Sequence, residues 1–290
     1  MLAKSKKLVF LLLGCGVVLV VLFIIVVYQN YQGRKLRLTF CDIGQGDSIL
    51  IQTPYHQDIL IDGGPDSSVL TCLGNNLPFY DRDIELMILT HPHADHVVGL
   101  VPVLERYEVD QILLTFVKSG EPAYQEFLKI IEEKNIPTAK GLAGQVFELG
   151  PDLKLETLFP FSDLENQSVK NLNNSSIINK LIYQENSFLL TGDLEVEGEE
   201  LLLLADKDLQ ADILKVGHHG SSTSSSQDFL AAVQPEIAVI QCGLNNKHGH
   251  PSLRTIRRLE RLGAQIFRND LDGEINLVSD GKDIICVKEN

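Results

Sequence analysis

Cysteine is scarce. Five residues spread over 290 are too few and too scattered to staple a small secreted scaffold. None stands in a C-x-x-C or other metal-binding spacing, and Cys41, Cys72, Cys242 and Cys286 read as small buried apolar residues. Basic residues are also few: Lys+Arg number 25 against Asp+Glu 39, a net charge of -14. Three of them, Lys4, Lys6 and Lys7, lie ahead of the first apolar run, so the remainder is more acidic still. No Lys/Arg block follows that run, which argues against a general polyanion-binding surface. Any nucleic acid must be met locally, with a cation's help. Exact repeats, low-complexity tracts and Pro-rich linkers are missing too. Against these absences stands an apolar fraction of 44%, which excludes intrinsic disorder. The length suits one large domain or two modest ones, and the uninterrupted pattern favours one.

Leu8 to Tyr28 runs without charge, amide or proline. At about 1.5 Å per residue it spans roughly 30 Å, the hydrocarbon thickness of a bilayer. A cleaved signal has an apolar region of about 7–15 residues and then a small-residue cleavage site. Here Val and Ile continue to Val27, so the run is expected to be an uncleaved anchor. Leu12-Leu13-Gly14-Cys15 resembles a lipobox, an alternative that leaves the apolar residues beyond Cys15 unexplained. Lys4, Lys6 and Lys7 precede the run, but Arg34, Lys35 and Arg37 follow it, so the positive-inside rule leans only slightly toward an inside amino terminus. The expected organisation is a tail over 1–7, a transmembrane helix over 8–28, a linker over 29–35 and a domain over 36–290. That is a single-pass cell-membrane protein with its domain outside.

From Leu36 on, strands alternate with helices. Leu36–Phe40, Ser48–Gln52, Ile59–Ile61, Ile84–Thr90 and Ile112–Phe116 read as strands. So do Leu153–Leu158, Ile177–Tyr183, Ser187–Thr191, Ile213–Val216 and Ile237–Gln241, with Ile266–Phe267, Glu274–Leu277 and Ile284–Val287 closing the chain. Helices are expected over Val97–Tyr107 (interrupted early by Pro102), Ala123–Asn135, Glu197–Ala205 and Gln227–Val233, with a basic-faced one over Leu253–Leu262. The polar Ser221–Ser226 run reads as a flexible loop, and no G-x-S-x-G supports a nucleophilic serine there.

Three of the eight histidines fall within six residues, His91-Pro92-His93-Ala94-Asp95-His96, directly after an apolar strand. Imidazole and carboxylate together favour Zn²⁺ or another first-row divalent ion. Four such groups at this spacing are not a surface accident. His218 and His219 follow another strand, where side chains alternate faces, so one is expected to be a ligand and the other a substrate or supporting contact. His56 and His248 read as surface residues, and Lys215 as a solvated lysine or a charge for an anionic substrate.

The cluster resembles the signature of the metallo-β-lactamase superfamily, over about Leu36 to Asn290. Ile61-Asp62-Gly63-Gly64 resembles the family's first Asp motif, and Leu189-Leu190-Thr191-Gly192-Asp193 its bridging-carboxylate motif. Leu214-Lys215-Val216-Gly217-His218-His219-Gly220-Ser221 resembles its late His motif. The likeness is closer still to the hydrolase domain of ComEC competence proteins. It is carried by Asp42-Ile43-Gly44-Gln45-Gly46-Asp47-Ser48, Asn173-Asn174-Ser175-Ser176, the HHGS stretch and Gly249-His250-Pro251. The ComEC channel helices are missing; the chain resembles the domain on its own anchor.

The resemblance implies an αββα sandwich with one or two metal ions, Zn²⁺ expected and Mn²⁺ the alternative. His91 and His93 would hold one ion, Asp95 and His96 the other, with Asp193 between them and His218 or His219 joining the second. Asp62 would orient a histidine, or else is only a turn-forming Asp before Gly-Gly. His250 would serve as an acid or a phosphate contact, and Ser176, Ser221 and Lys215 would line the site. The superfamily's third histidine of the first metal has no counterpart between His96 and His218, so Asn173 or Asn174 is expected near that place, as a weaker amide ligand.

The implied reaction is hydrolysis of a phosphodiester by a metal-bound hydroxide, with DNA at the cell envelope as substrate and competence and DNA uptake as context. The acidity of the chain favours the alternative of a small phosphoester such as a phosphocholine ester. β-Lactams come third, and a non-catalytic metal-binding partner of an envelope complex is the reading from another class. The sequence points to no specific protein partner.

Overall fold

The computed structural model describes residues 14, 16–22 and 35–287. Residues 16–22 are helical (α1), and no helix among the described residues is long and apolar enough to cross a membrane. The expected anchor over 8–28 therefore lies mostly outside the described residues, as do the expected tail and most of the linker.

The elements then run β1 (Leu36–Phe40), β2 (Ile49–Gln52), β3 (Asp58–Ile61), α2 (Ser68–Asn76), β4 (Asp83–Ile84), β5 (Leu86–Ile88), α3 (Ala94–Val97) and α4 (Leu100–Arg106). Next come β6 (Glu108–Val109), β7 (Ile112–Leu114), α5 (Pro122–Lys134), β8 (Thr138–Lys140), β9 (Val146–Gly150), β10 (Leu153–Phe159), β11 (Ile178–Tyr183) and β12 (Asn186–Leu190). The chain ends with α6 (Val196–Leu204), β13 (Ile213–Lys215), α7 (Gln227–Val233), β14 (Ile237–Ile240), α8 (Leu253–Leu262), β15 (Gln265–Arg268), α9 (Asn269–Asp272), β16 (Ile275–Ser279) and β17 (Ile284–Val287).

Two sheets share one construction. In the first, ordered β17-β16-β1-β2-β3-β5-β7-β8, the strands from β17 to β3 are antiparallel neighbours and those from β3 to β8 parallel. The second, ordered β15-β14-β13-β12-β11-β10-β9, is antiparallel from β9 to β12 and parallel from β12 to β15. Strand alternation then sorts the side chains. Leu36, Leu38, Phe40, Ile59 and Ile61 of one sheet meet Leu153, Leu155, Leu181 and Phe188 of the other in an inner core. The opposite face of the first sheet packs Leu50, Leu60 and Met87 on Leu73, Leu100, Leu104 and Phe127 of α2, α4 and α5. The second sheet packs Leu189, Leu214 and Ala238 on Leu202, Phe229, Leu230 and Leu259 of α6, α7 and α8. Helices therefore cover both outer faces, and the expected αββα sandwich is the fold. Phe188 is fully buried between the sheets, so Phe188→Ala would cost about 3–5 kcal/mol.

Three expectations change. The helix expected over Val97–Tyr107 divides into α3 and α4, and Pro102 sits in the first turn of α4, where no amide donor is required. The strand expected over Ile84–Thr90 divides into β4 and β5. Cys41 and Cys72 are not separate apolar fillers: they form a disulfide across a sequence separation of 31. Closing a loop of that length adds about 3–4 kcal/mol.

Candidate metal centre

The parallel strands of both sheets end at one cleft. β3 leads into Asp62, β5 into His91, β12 into Asp193, β13 into His218 and His219, and β14 into Gln241. Glycines make the approach possible. Gly99 is so close to Gly63 that an added Cβ would lie 1.8 Å from the Gly63 carbonyl oxygen, which draws the Asp62 loop onto the start of α4. An added Cβ at Gly46 would lie 2.3 Å from the Asp95 carbonyl oxygen, which accepts from the Asp47 amide at 3.2 Å.

At the centre is the Asp193 carboxylate. Its Oδ2 lies 3.3 Å from His219 Nε2, 3.4 Å from His96 Nε2, 3.9 Å from His218 Nε2 and 4.0 Å from His91 Nε2. Asp95 Oδ2 is 3.3 Å from His219 Nε2. Among the groups that share one ligand-sized space are His91, His96 and Asp193, and Asp95, His96 and His219. His93 Nδ1 stands 3.0 Å from His91 Nε2, at the rim of the first group.

The rings are held from behind. His96 Nδ1 donates to Asp62 Oδ2 at 2.8 Å, and Asp62, buried with φ 58, also accepts from the Thr90 amide and hydroxyl. Asp62 is thus a positioning residue for His96. His219 Nδ1 donates to the Gln241 carbonyl at 3.0 Å and lies 3.2 Å from Asp47 Oδ1. Lys215 is fully buried rather than solvated: its ammonium pairs with Asp47 Oδ2 and reaches the Gly192 carbonyl at 3.1 Å. His218 Nδ1 faces Glu195 Oε1 at 3.1 Å. His91 Nδ1 has only hydroxyls, Thr90 Oγ1 at 3.1 Å and Ser176 Oγ at 3.3 Å.

The charges fit a cation. Burial opposes ionisation of Asp193, yet His219 and His96 hold its carboxyl well below the usual range. Burial likewise opposes a charged ring on His96 and His219, but Asp193 with Asp62 or Asp47 raises both well above the ordinary histidine value. For His91, burial and the neighbouring His96 act in the same direction and push it well below. Buried His96 Nε2, His219 Nε2 and Asp193 Oδ1 make no hydrogen bond. Nitrogen donors turned inward around a carboxylate, each backed by a partner on its other ring atom, are the donor set of a Zn²⁺-type site.

His218 and His219 depart from the expected alternation because they are not on a strand. They occupy a tight turn, Gly217–Gly220, with φ 48 and 53, and this left-handed backbone turns both rings toward Asp193. Strain of this kind is characteristic of functional sites. His219 is buried among Asp95, Asp47 and Asp193, whereas His218 is partly exposed. Asn173 is the amide beside the cleft: its Nδ2 donates to Glu195 Oε1 and approaches His218 Nδ1 at 3.5 Å, and its buried Oδ1 has no hydrogen bond. Asn174 turns away, with Oδ1 accepting from the Glu195 amide at 3.0 Å. His250 is half-buried, its ring centroid 5.5 Å from that of His218, and burial with His218 lowers its pKa to about 4. His248 is exposed and stacks on His250; His56 is exposed on a distant turn.

The serine run is packed, not flexible. Ser224 and Ser225 are fully buried; Ser224 Oγ donates to the Gly217 carbonyl, and the Ser225 and Ser226 amides donate to the buried Glu199 carboxylate. Ser221 Oγ pairs with Thr223 Oγ1 at 3.0 Å, and Thr223 touches His218 and Glu195, so Ser221 braces the turn from outside the ligand cluster. Asp47 and Glu195 were not singled out as site residues from the sequence. Asp47 lay within a quoted motif, and its pairing with His219 arises only when the two sheets meet.

Strand ends that bring these carboxylates and imidazoles together define a class. The chain belongs to the metallo-β-lactamase superfamily, whose model matches residues 41–243. Its relatives include competence proteins. It is 29% identical to ComE operon protein 3 of Bacillus subtilis (strain 168) over 94% of this chain, and 30% identical to Competence protein ComA of Neisseria gonorrhoeae over 83%. The expected likeness to ComEC holds. The chain spans about a third of the length of these relatives, 36% and 32%. Among solved structures it is similar to CmlA, a diiron β-hydroxylase from Streptomyces venezuelae. The TM-score is 0.54 at 14% identity over 85% of this chain and 54% of that one, a likeness that shows the fold alone.

Proposed function

We propose that the protein is a metal-dependent phosphodiesterase that acts on DNA at the cell envelope, held to the membrane through residues 8–28. The observation that carries the hydrolytic reading is the convergence of four imidazole Nε2 atoms on Asp193 Oδ2. The competence relatives named above support DNA as the substrate. The Cys41–Cys72 disulfide supports a position outside the cytosol, since such bonds persist in oxidising compartments.

Asp193, His96, His219 and Asp95 would hold one divalent ion, and His91 and His93, sharing Asp193, a second. Zn²⁺ suits the imidazole donors, with Mn²⁺ as the alternative. Such an ion supplies a water acidified toward neutral pH and a counter-charge for phosphoryl oxygens. The protein's own part is to fix ligand geometry. Asp62 locks the His96 ring and the Gln241 carbonyl the His219 ring, with the Asp47 carboxylate 3.2 Å behind it and neutralised by Lys215. His250 sits at the mouth, with a ring that is uncharged at neutral pH, and so meets a phosphoryl oxygen as an N–H donor rather than as a cation.

The test uses the full chain in detergent, stripped with chelator and reloaded with Zn²⁺ or Mn²⁺. Metal-dependent turnover of bis(p-nitrophenyl) phosphate and of single- or double-stranded DNA is expected. Turnover of phosphocholine esters with DNA untouched would move the substrate to small phosphoesters. Bound metal without turnover on any of them would make the protein a binder.

A further inference from the structure

Four arginines crowd one short helix of a chain whose net charge is -14. α8 carries Arg254, Arg257, Arg258 and Arg261, and its buried side is set by Thr255 and Leu259. At about 100° per residue all four arginines fall within a sector of roughly 100° on one flank, and Glu260, the helix's one acid, borders that sector about 60° from Arg257. The helix is tied to the turn beside the metal centre. Arg258 donates to the Ser225 carbonyl at 2.8 Å, the Ser252 amide donates to the Gly220 carbonyl at 2.9 Å, and Thr255 Oγ1 donates to the Ser221 carbonyl at 2.8 Å. The helix is thus joined to the turn that presents His218 and His219, and Arg254 starts four residues beyond His250. Arg254, Arg257 and Arg261 are exposed.

We infer that this flank is a docking track for the sugar-phosphate backbone of a DNA strand whose scissile phosphate lies at the metal centre. The inference rests on the phosphodiesterase reading above. Its occupant is set by charge complementarity: a local row of guanidinium groups on an otherwise acidic protein matches a row of phosphates, and guanidinium binds them in bidentate fashion. From Arg254 to Arg261 the helix rises about 10 Å, room for roughly three phosphates at the 3.4 Å axial spacing of one strand. Arg258, occupied by backbone carbonyls, braces the helix and leaves the other three to the ligand.

The test measures binding without metal, so that it does not depend on catalysis. Full-length protein in detergent with chelator is titrated into a fluorescent single-stranded oligonucleotide, and anisotropy is followed across NaCl concentrations. The comparison is with a chain carrying Arg254→Gln, Arg257→Gln and Arg261→Gln together. Each phosphate contact contributes about 0.7 to the slope of log K against log salt for a single strand. The variant is expected to lose about two from that slope, which is about 100-fold weaker binding at 0.1 M salt if the lines meet near 1 M. Lysine at the same three positions should restore most of the slope. Zn²⁺-loaded turnover of bis(p-nitrophenyl) phosphate should be equal in all three chains. Equal slopes and affinities for wild type and the glutamine variant would overturn the track while leaving the hydrolase reading in place. A slope lost as expected in a protein that hydrolyses no diester would keep the track and remove the hydrolase reading.

Discussion

His96 and His219 each turn one ring nitrogen to Asp193 and have a buried carboxylate at the other, Asp62 and Asp47. On the opposite wall, the far nitrogen of His91 meets the hydroxyls of Thr90 and Ser176, and His93 stands at the rim, against His91. A carboxylate behind an imidazole fixes its tautomer and raises its basicity; a hydroxyl fixes the tautomer with little effect on basicity. One cleft therefore contains two kinds of support. The Asp95–His96–His219 half is expected to bind its ion tightly and the His91–His93 half weakly.

The most severe way to break this comparison is Asp193→Ala, which removes the carboxylate both halves share. Metal from both halves and all hydrolysis should be lost, well beyond the roughly 10–100-fold typical of an outer partner. Circular dichroism should show the sandwich intact; a chain that still turns over diesters at the wild-type rate would remove Asp193 from the site.

Next in size is a contrast between halves. Asp95→Ala should abolish hydrolysis and release the tight ion, whereas His93→Ala should leave that ion bound and affect only the weak one. Metal analysis after gel filtration distinguishes them, and identical losses from both variants would dissolve the distinction. A smaller effect is expected from Asp47→Asn, which keeps the shape but removes the charge behind His219. Affinity for the tight ion should fall about 10–100-fold, with the weak ion unaffected, as measured by competition with a fluorescent chelator. The smallest is Asn174→His. The sequence invited the thought that this change would complete the weak half. Since Asn174 faces the Glu195 amide, the expected result is unchanged metal binding and a stability loss of about 1 kcal/mol in urea unfolding.

The cluster announced itself because four of the ligands, His91, His93, Asp95 and His96, are local in sequence and sit where an apolar strand stops. Most strands and the helices over Gln227–Val233 and Leu253–Leu262 were legible from periodicity. What stayed hidden depends on the meeting of distant segments. α2, SVLTCLGNN, has a Gly and two Asn that mask its helical pattern, and its Cys72 shows its purpose only beside Cys41. The Ser221–Ser226 run looked solvated because its partner, the Glu199 carboxylate, comes from α6. Lys215 was read as a surface charge because the Asp47 that neutralises it lies on another sheet's loop. Strand alternation puts His218 and His219 on opposite faces, and their left-handed backbone has no signature in the residues themselves.

The inequality of the two halves is tested most directly by counting bound metal while a chelator of known affinity is titrated into the fully loaded wild-type protein. Release in two separated steps is predicted, the weaker ion leaving first and the tighter at a higher chelator concentration. Two ions leaving together at one chelator concentration would contradict the account and would mean that another group completes the His91–His93 half.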